Sequence, residues 1–509
     1  MHNRTLLTGV LVAGLLVATP AEASAHKGIS LHFLGRHTTG AFDAGASEIT
    51  AYDAKTRRVF VVNAQAGTVD VLDIRDPRAP KKVGTLQTPG ANSVAVKNGL
   101  VAVAQQADDK TRPGTVGLFS ASGLKKIRSV TVGALPDMVT FTPDGSKVLV
   151  ANEGEPSGYC DGDVDPEGSV SIVDVRRGSV KTADFRRYIG KEDRLRARGV
   201  RIYGPKANAA QDLEPEYITT DRHGRTAWVS LQENNALAIV DLRSGRVTDV
   251  VPLGLKDHSR PGNGLDASDK DGKINIVPRP VKGMYQPDAL ASYEARGRTY
   301  VVAANEGDAR DWECFAEEAR VKDLKTTLPD ALKADAELGR LTVTSTSPKN
   351  AEGVTTELHA IGARSISVRD ADGRLVWDSG DQIEKLVAKE LPAEFNSDQE
   401  NTSFDSRSDN KGPEPEGVAV GDVRGRTYAF AGLERVGGVV AFDVTDPRRP
   451  AIADYVNSRD FTGSVEGGTG GDSGPEGVLF VPASDSPTRK PLLVVGHEIS
   501  GTTAIYEIR

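Results

Sequence analysis

One phrase recurs along this chain: a turn, then an apolar run, then acids where the run stops. Its fullest copy is TPDGSKVLVANEGEP, Thr142 to Pro156. Pro-Asp-Gly reads as a hairpin turn, because glycine tolerates the positive φ such turns need. Val148-Leu149-Val150 reads as a short buried strand from its β-branched apolar content. Counterparts of strand and exit are VFVVNAQ from Val59, LVAVAQQ from Leu100, AWVSLQE from Ala227, YVVAANEGD from Tyr300, YAFAGLE from Tyr428 and LLVVGHE from Leu492, so there are seven copies. A further strand follows each copy (GTVDVLDI, GSVSIVDV, GGVVAFDV and their kin). Another precedes each, usually opening on an acid (SEITAY, PDMVTF, PEGVAV). A three- or four-stranded unit repeated seven times predicts an all-β fold, a seven-bladed β-propeller.

Predicted blade starts fall near Glu48, Asn92, Asp137, Glu216, Asp288, Glu416 and Glu476. The first three are about 45 residues apart, the length of one four-stranded blade. Later blades carry insertions at about 184–212, 254–287, 306–360 and 381–412. In the third, CFAEEARVKDL and LPDALKADAELG have helix-forming composition and spacing, and Asp381 to Phe395 reads as another helix. Ile29 to Gly40 resembles a closing strand, and the last unit stops at its third. The N-terminal strand is therefore expected to complete the last blade and close the ring.

Arg4, the apolar segment Leu6 to Ala18 and the small residues up to Ala25 read as an export signal over residues 1–25, leaving residues 26–509 as one propeller. No later segment is apolar enough to span a membrane. The expected product is secreted and monomeric, with no sorting tail at Arg509. Export makes a disulfide between the two cysteines, Cys160 and Cys314, the expected state. The net charge of −8 excludes the basic footprint that nucleic acid requires.

Strands alternate in direction outward from the channel. The loop into each first strand and the loop out of each second strand therefore share one face. That face receives the acids, the insertions and both cysteines. The acids at strand starts are Glu48, Asp137, Glu216, Asp288, Glu416 and Glu476, with Asn92 in blade 2. Those at strand exits are Glu153, Glu233, Glu306, Glu434 and Glu498, with Gln65 and Gln105 or Gln106 in the first two blades. Two unit charges ~4 Å apart repel by roughly 4 kcal/mol at intermediate dielectric. A hard oxygen-liganded cation, calcium or magnesium, would relieve such crowding. The competing reading makes each acid a structural latch on backbone amides. Blades 3 and 5 go beyond the repeat, adding Glu155, Asp308 and Asp311. The candidate cation ligands are Glu153, Glu155, Glu306 and Asp308, then Asp288, Glu416 and Glu476. Asp266, Asp269 and Asp271, with Ser268 and Asn275, resemble a calcium loop, but Ala267 breaks its register. His497, beside Glu498, is a candidate metal ligand or proton carrier.

NEGEP…DPEGSVSIVDV, NEGDARDW, LDASDKDGKINI, GARSISVRDADGRLVWDSGD, RSDNKGPEPEGV and GPEGVLF resemble the choice-of-anchor I family. The family consists of exported propellers related to mesenchyme-specific cell surface glycoproteins. The resemblance implies a propeller of YVTN or WD type. Some members are labelled alkaline phosphatase-like, and the resemblance carries over no catalytic set. The leading expectation is a secreted binding module whose insertion-bearing face holds a divalent cation, calcium, and meets an unidentified ligand. The rival is a metal-dependent phosphoesterase with Arg310, Arg407 and Lys411 on the phosphate. A third possibility is a structural ring without ligand.

Overall fold

The computed structural model describes residues 28–400 and 402–509. The expected export signal lies outside them. Seven four-stranded antiparallel sheets form the ring. Their innermost strands are Thr50–Asp53, Ala91–Lys97, Pro136–Phe141, Ile218–Thr220, Leu290–Ala295, Pro415–Val423 and Pro475–Val481, at the predicted starts.

The second strands have almost no exposed side chain, and their period of two explains why. In Lys147–Asn152, Val148 and Val150 pack with Ala102, Ala104 and Val116 of blade 2. Leu149 and Ala151 point the other way, to Ala227 and Val229 of blade 4. Each such strand is the filling between two neighbouring blades, so both faces must be apolar. Such repeated burial, at ~25 cal/mol per Å² of apolar surface, is the main force holding blade to blade.

Ring closure follows the sequence expectation. Leu31–Thr38 pairs antiparallel with Thr502–Ile508, from Leu31 opposite Ile508 to Thr38 opposite Thr502. It becomes the outer strand of blade 7. Val481, Leu492, Val494 and Ile505 of that blade pack on Val59, Val61, Leu72 and Ile74 of blade 1.

The third insertion differs from expectation. The segment read as helical forms the short strands Phe315–Ala316 and Glu318–Arg320, then 3₁₀ turns at Val321–Asp323 and Asp330–Lys333. Glu318–Arg320 belongs to a five-stranded sheet with Thr342–Thr344, Leu358–Ala360, Val281–Met284 and Leu255–Asp257, which knits two insertions together. Helix propensities differ by under about 1 kcal/mol per residue. Burying Val321, Leu338, Leu341 and Val343 in one cluster outweighs them. Gln382–Glu390 is the expected second helix, with Ile383 and Val387 buried against blades 5 and 6.

Candidate functional site

The acids reach the channel through a backbone irregularity. Antiparallel pairing in blade 3 skips from Pro136 to Val139, in blade 6 from Pro415 to Val418, and in blade 7 from Pro475 to Val478. Asp137, Glu416 and Glu476 sit in those gaps. A bulge frees its residue from the ladder and re-aims the side chain. Pro136 lies opposite Asn152, Pro415 opposite Leu433 and Pro475 opposite His497, so the start acids of blades 3, 6 and 7 stand beside the exit acids of their own blades. A Cβ on Gly417 would lie 1.8 Å from the Glu476 carbonyl oxygen, so glycine is what lets neighbouring inner strands touch here. Asn92, Asp137, Asp288 and Glu476 line a cavity of only 60 Å³ in the channel.

Burial, first, and then the neighbouring acids push most of these carboxyls up. Glu48 rises to about 8 and Asp137 to about 7. Glu153, Glu216, Asp288, Glu416, Glu434 and Glu476 are pushed well up by the same causes.

Two triads stand out, and they differ in kind. Glu306, Glu414 and Glu434 bring carboxylate oxygens within 4.8 Å of one another. This triad holds its own cations. Lys411 donates to Glu306 and lies 3.0 Å from Glu414, Arg407 lies 2.7 Å from Glu414, and Arg435 lies 2.9 Å from it. Although burial opposes it, Lys411, Arg407 and Arg435 hold the Glu414 carboxyl far below the usual carboxylate range.

The second triad, Glu153, Glu216 and Glu233, also gathers its oxygens within 4.8 Å. Among the described residues no lysine or arginine forms an ion pair with any of the three. Glu216 and Glu233 are 8% and 5% exposed, and each has a buried carboxylate oxygen without a hydrogen-bond partner. Gln232 stands between the triads, its amide donating to Glu306 Oε2 at 3.1 Å. Both triads therefore belong to one mouth.

The sequence candidates land unevenly. Glu153 is in the open triad, whereas Glu306 is paired with Lys411. Glu155 accepts from Lys110, whose ammonium lies 4.1 Å from the Trp312 ring centre. The Asp308 carboxyl is pushed up to about 7, first by burial, with Lys411 opposing and Glu233 and Glu306 adding. Glu416 and Glu476 each keep one buried oxygen without a partner. Asp269 is held by Lys270 and Arg340, Asp271 accepts from the Lys273 amide and from Asn275, and Asp266 accepts from the amides of Ser268 and Asn275. His497 is 1% exposed, and burial pushes its imidazole down.

The three phosphate candidates already have carboxylate partners. Arg310, with a side chain 1% exposed, bonds Asp212 and Glu214. Arg407 and Lys411 both bond Glu414. Cys160 and Cys314 form a disulfide with Cα atoms 5.3 Å apart, tying the loop between the second and third strands of blade 3 to the insertion of blade 5.

Sequence reasoning named Glu216, Glu233 and Glu434 as ring members but did not choose them as ligands. It missed Glu214 and Glu414 altogether. A signal was present: Glu-Pro-Glu occurs at 214–216 and again at 414–416. In both, the first glutamate binds buried basic side chains and the second faces the channel.

The family model of the choice-of-anchor I domain matches residues 48–447. The chain is 34% identical over 278 residues to the mesenchyme-specific cell surface glycoprotein of Strongylocentrotus purpuratus, a match covering 46% of this chain and 35% of that protein. It is 31% identical over 193 residues to gigasin-3a of Magallana gigas, covering 35% of this chain and 67% of that one. Among solved structures, hydrazine synthase of Kuenenia stuttgartiensis superposes with a TM-score of 0.47 at 13% identity, over 92% of this chain and 99% of that one. Streptogramin B lyase gives 0.45 at 9% identity, over 94% and 98%.

Proposed function

The chain belongs to the choice-of-anchor I family, and from that premise we propose that it is an extracellular surface-interaction propeller whose insertion-bearing face meets its ligand through a divalent cation. The observation that carries this reading is the triad Glu153, Glu216 and Glu233. Three carboxylate oxygens lie within 4.8 Å of one another with no lysine or arginine paired to them among the described residues, beside a second triad whose three carboxylates are each ion-paired. Buried carboxylates without a partner are costly, and a hard cation with oxygen ligands offsets that cost. The disulfide suits an oxidising compartment. The name of the Strongylocentrotus purpuratus relative places that protein at a cell surface. No helix among the described residues is long and apolar enough to cross a membrane.

Phosphoester hydrolysis is the weaker reading, because Arg310, Arg407 and Lys411 are engaged by carboxylates. One experiment treats both. The mature protein is stripped with chelator, titrated with calcium and with magnesium, and assayed on a chromogenic phosphomonoester. The Glu216→Gln, Glu233→Gln double variant should bind the mouth cation at least ten-fold more weakly. Unchanged cation affinity in that variant sinks the cation reading. Chelator-sensitive turnover would move the protein to the hydrolases.

A further inference from the structure

Outside the channel, one buried pocket of oxygen atoms has too few donors. It lies where the insertion loop Asp266 to Asn275 meets the loop that follows helix Gln382–Glu390. Asp266 and Asp405 are 0% and 1% exposed. Asp405 Oδ1 accepts from Ser408 at 2.5 Å, while its Oδ2 is buried with no partner among the described residues. Burial, and after it the charges of Asp266, Asp271 and Asp269, push that carboxyl up to about 8, with the Ser408 hydrogen bond opposing. Arg364 joins the two loops here, its guanidinium bonding the backbone oxygen of Asp266 on one side and those of Ser408 and Asn410 on the other.

A second orphan lies alongside. Asn396 is fully buried and donates its amide nitrogen to Glu384 at 3.1 Å and to Ser408 at 2.8 Å. Among the described residues its side-chain oxygen has no donor. An acceptor-only oxygen and a carboxylate oxygen, both dry and both unpaired, each carry the full penalty of desolvation.

Protein cations do not meet this demand. Arg364 is the basic group at the centre, and its guanidinium bonds Glu384 together with the backbone oxygens of Asp266, Ser408 and Asn410. It neutralises Glu384 and leaves the two aspartates. Lys270 and Arg340 are both on Asp269. Among the described residues, neither Asp266, Asp271 nor Asp405 has an ion pair with lysine or arginine.

We propose that this pocket is a structural calcium site, separate from the channel mouth, with Asp405 Oδ2, the Asp266 carboxylate and the Asn396 side-chain oxygen as buried ligands and Asp271 at its rim. The donors are all oxygen, from carboxylates and an amide, with neither histidine nor cysteine. Calcium takes six to eight such ligands at about 2.3–2.6 Å and tolerates irregular geometry. The ion would clamp the loop Asp266 to Asn275, which lies between blades 4 and 5, to the side chains of Asn396 and Asp405. The segment that carries them runs directly into Lys411 and Glu414, which furnish the mouth. This proposal does not rest on the cation reading of the mouth.

The test is calorimetric titration of the chelator-stripped mature protein with calcium alone, on the parent, on Asp405→Asn, and on the Glu216→Gln, Glu233→Gln variant as reference. Asp405→Asn should lose one bound calcium that the mouth variant keeps. Calcium-soaked crystals of the parent should show anomalous density between Asp405 and Asp266. Equal stoichiometry, with affinities within two-fold, in Asp405→Asn overturns the site. So does a soaked crystal without that density. Should Asp405→Asn not fold, Asp271→Asn replaces it: a weakening of about ten-fold supports the site, and unchanged affinity overturns it.

Discussion

At the scale of single residues, the mouth shows how the same side chain serves two ends. Glu414 is wholly buried and bonds Lys411, Arg407 and Arg435. Removing one member of a buried ionic group leaves its partners charged and dry, which costs about 3–5 kcal/mol. Glu414→Ala should therefore destabilise the protein by that order in denaturant unfolding, and a loss below about 1 kcal/mol would contradict the account. Glu216 is also a glutamate of a Glu-Pro-Glu run, at the opposite end of it, yet it has no such company. Glu414 itself adopts a left-handed backbone, φ 51°. The chain thus turns at Glu414, and Glu416 rather than Glu414 faces the channel. Composition cannot separate these roles, because they depend on which basic residue comes back from an insertion.

At the scale of elements, insertions build the site on strands that are nearly interchangeable. The disulfide spans 154 residues and skips blade 4. Beside it Tyr159 meets Phe315 edge-on at 5.5 Å. Just beyond, Arg310 reaches Asp212 and Glu214, and Arg201 reaches Glu317. The covalent link therefore secures a charged, buried junction between blades 3, 4 and 5. The Cys160→Ser, Cys314→Ser double variant should be less stable by about 2–4 kcal/mol, and reductant should destabilise the parent similarly while leaving the variant unmoved. Equal melting of parent and variant would mean that the ion network alone sets the junction. The insertion of blade 5 is where reading the sequence erred. Its helix formers are real, but Glu317 is anchored by Arg201 and by Tyr203, whose hydroxyl donates at 2.6 Å, and the segment joins a sheet.

At the scale of the whole molecule, closing a ring concentrates like charges at its axis. Glu48 is lifted from 4.5 to about 8 and Asp137 from 3.8 to about 7. A carboxyl raised on folding binds more protons in the folded state, so stability falls as pH rises from the unfolded value through the folded one. His497 and His258 are pushed down by burial, so above pH ~7 they are close to neutral in both states and leave the acids to dominate. Cation-free protein should melt at a lower temperature at pH 9 than at pH 7, and saturating calcium should narrow that gap. Scanning calorimetry at both values, with and without chelator, reads this directly. A melting temperature that rises toward pH 9 without metal would contradict the proton balance at the mouth.

Much of this was written in the chain. The period of the repeat determined seven blades, the incomplete last unit determined closure by the N-terminal strand, and strand alternation determined that start and exit acids share a face. Each is a local or periodic property, and repetition amplifies it. Tertiary structure decided the rest. Which glutamates meet Lys411, Arg407, Arg310 or Arg435, and which are left without a partner, depends on loops that return to the mouth from far along the chain. The loops that carry Asp266 and Asp405, well apart in sequence, meet only in the folded chain, where Arg364 bonds the backbone oxygens of Asp266 and Ser408. Electrostatic energy depends on distance and burial in three dimensions, and sequence spacing fixes neither across an insertion.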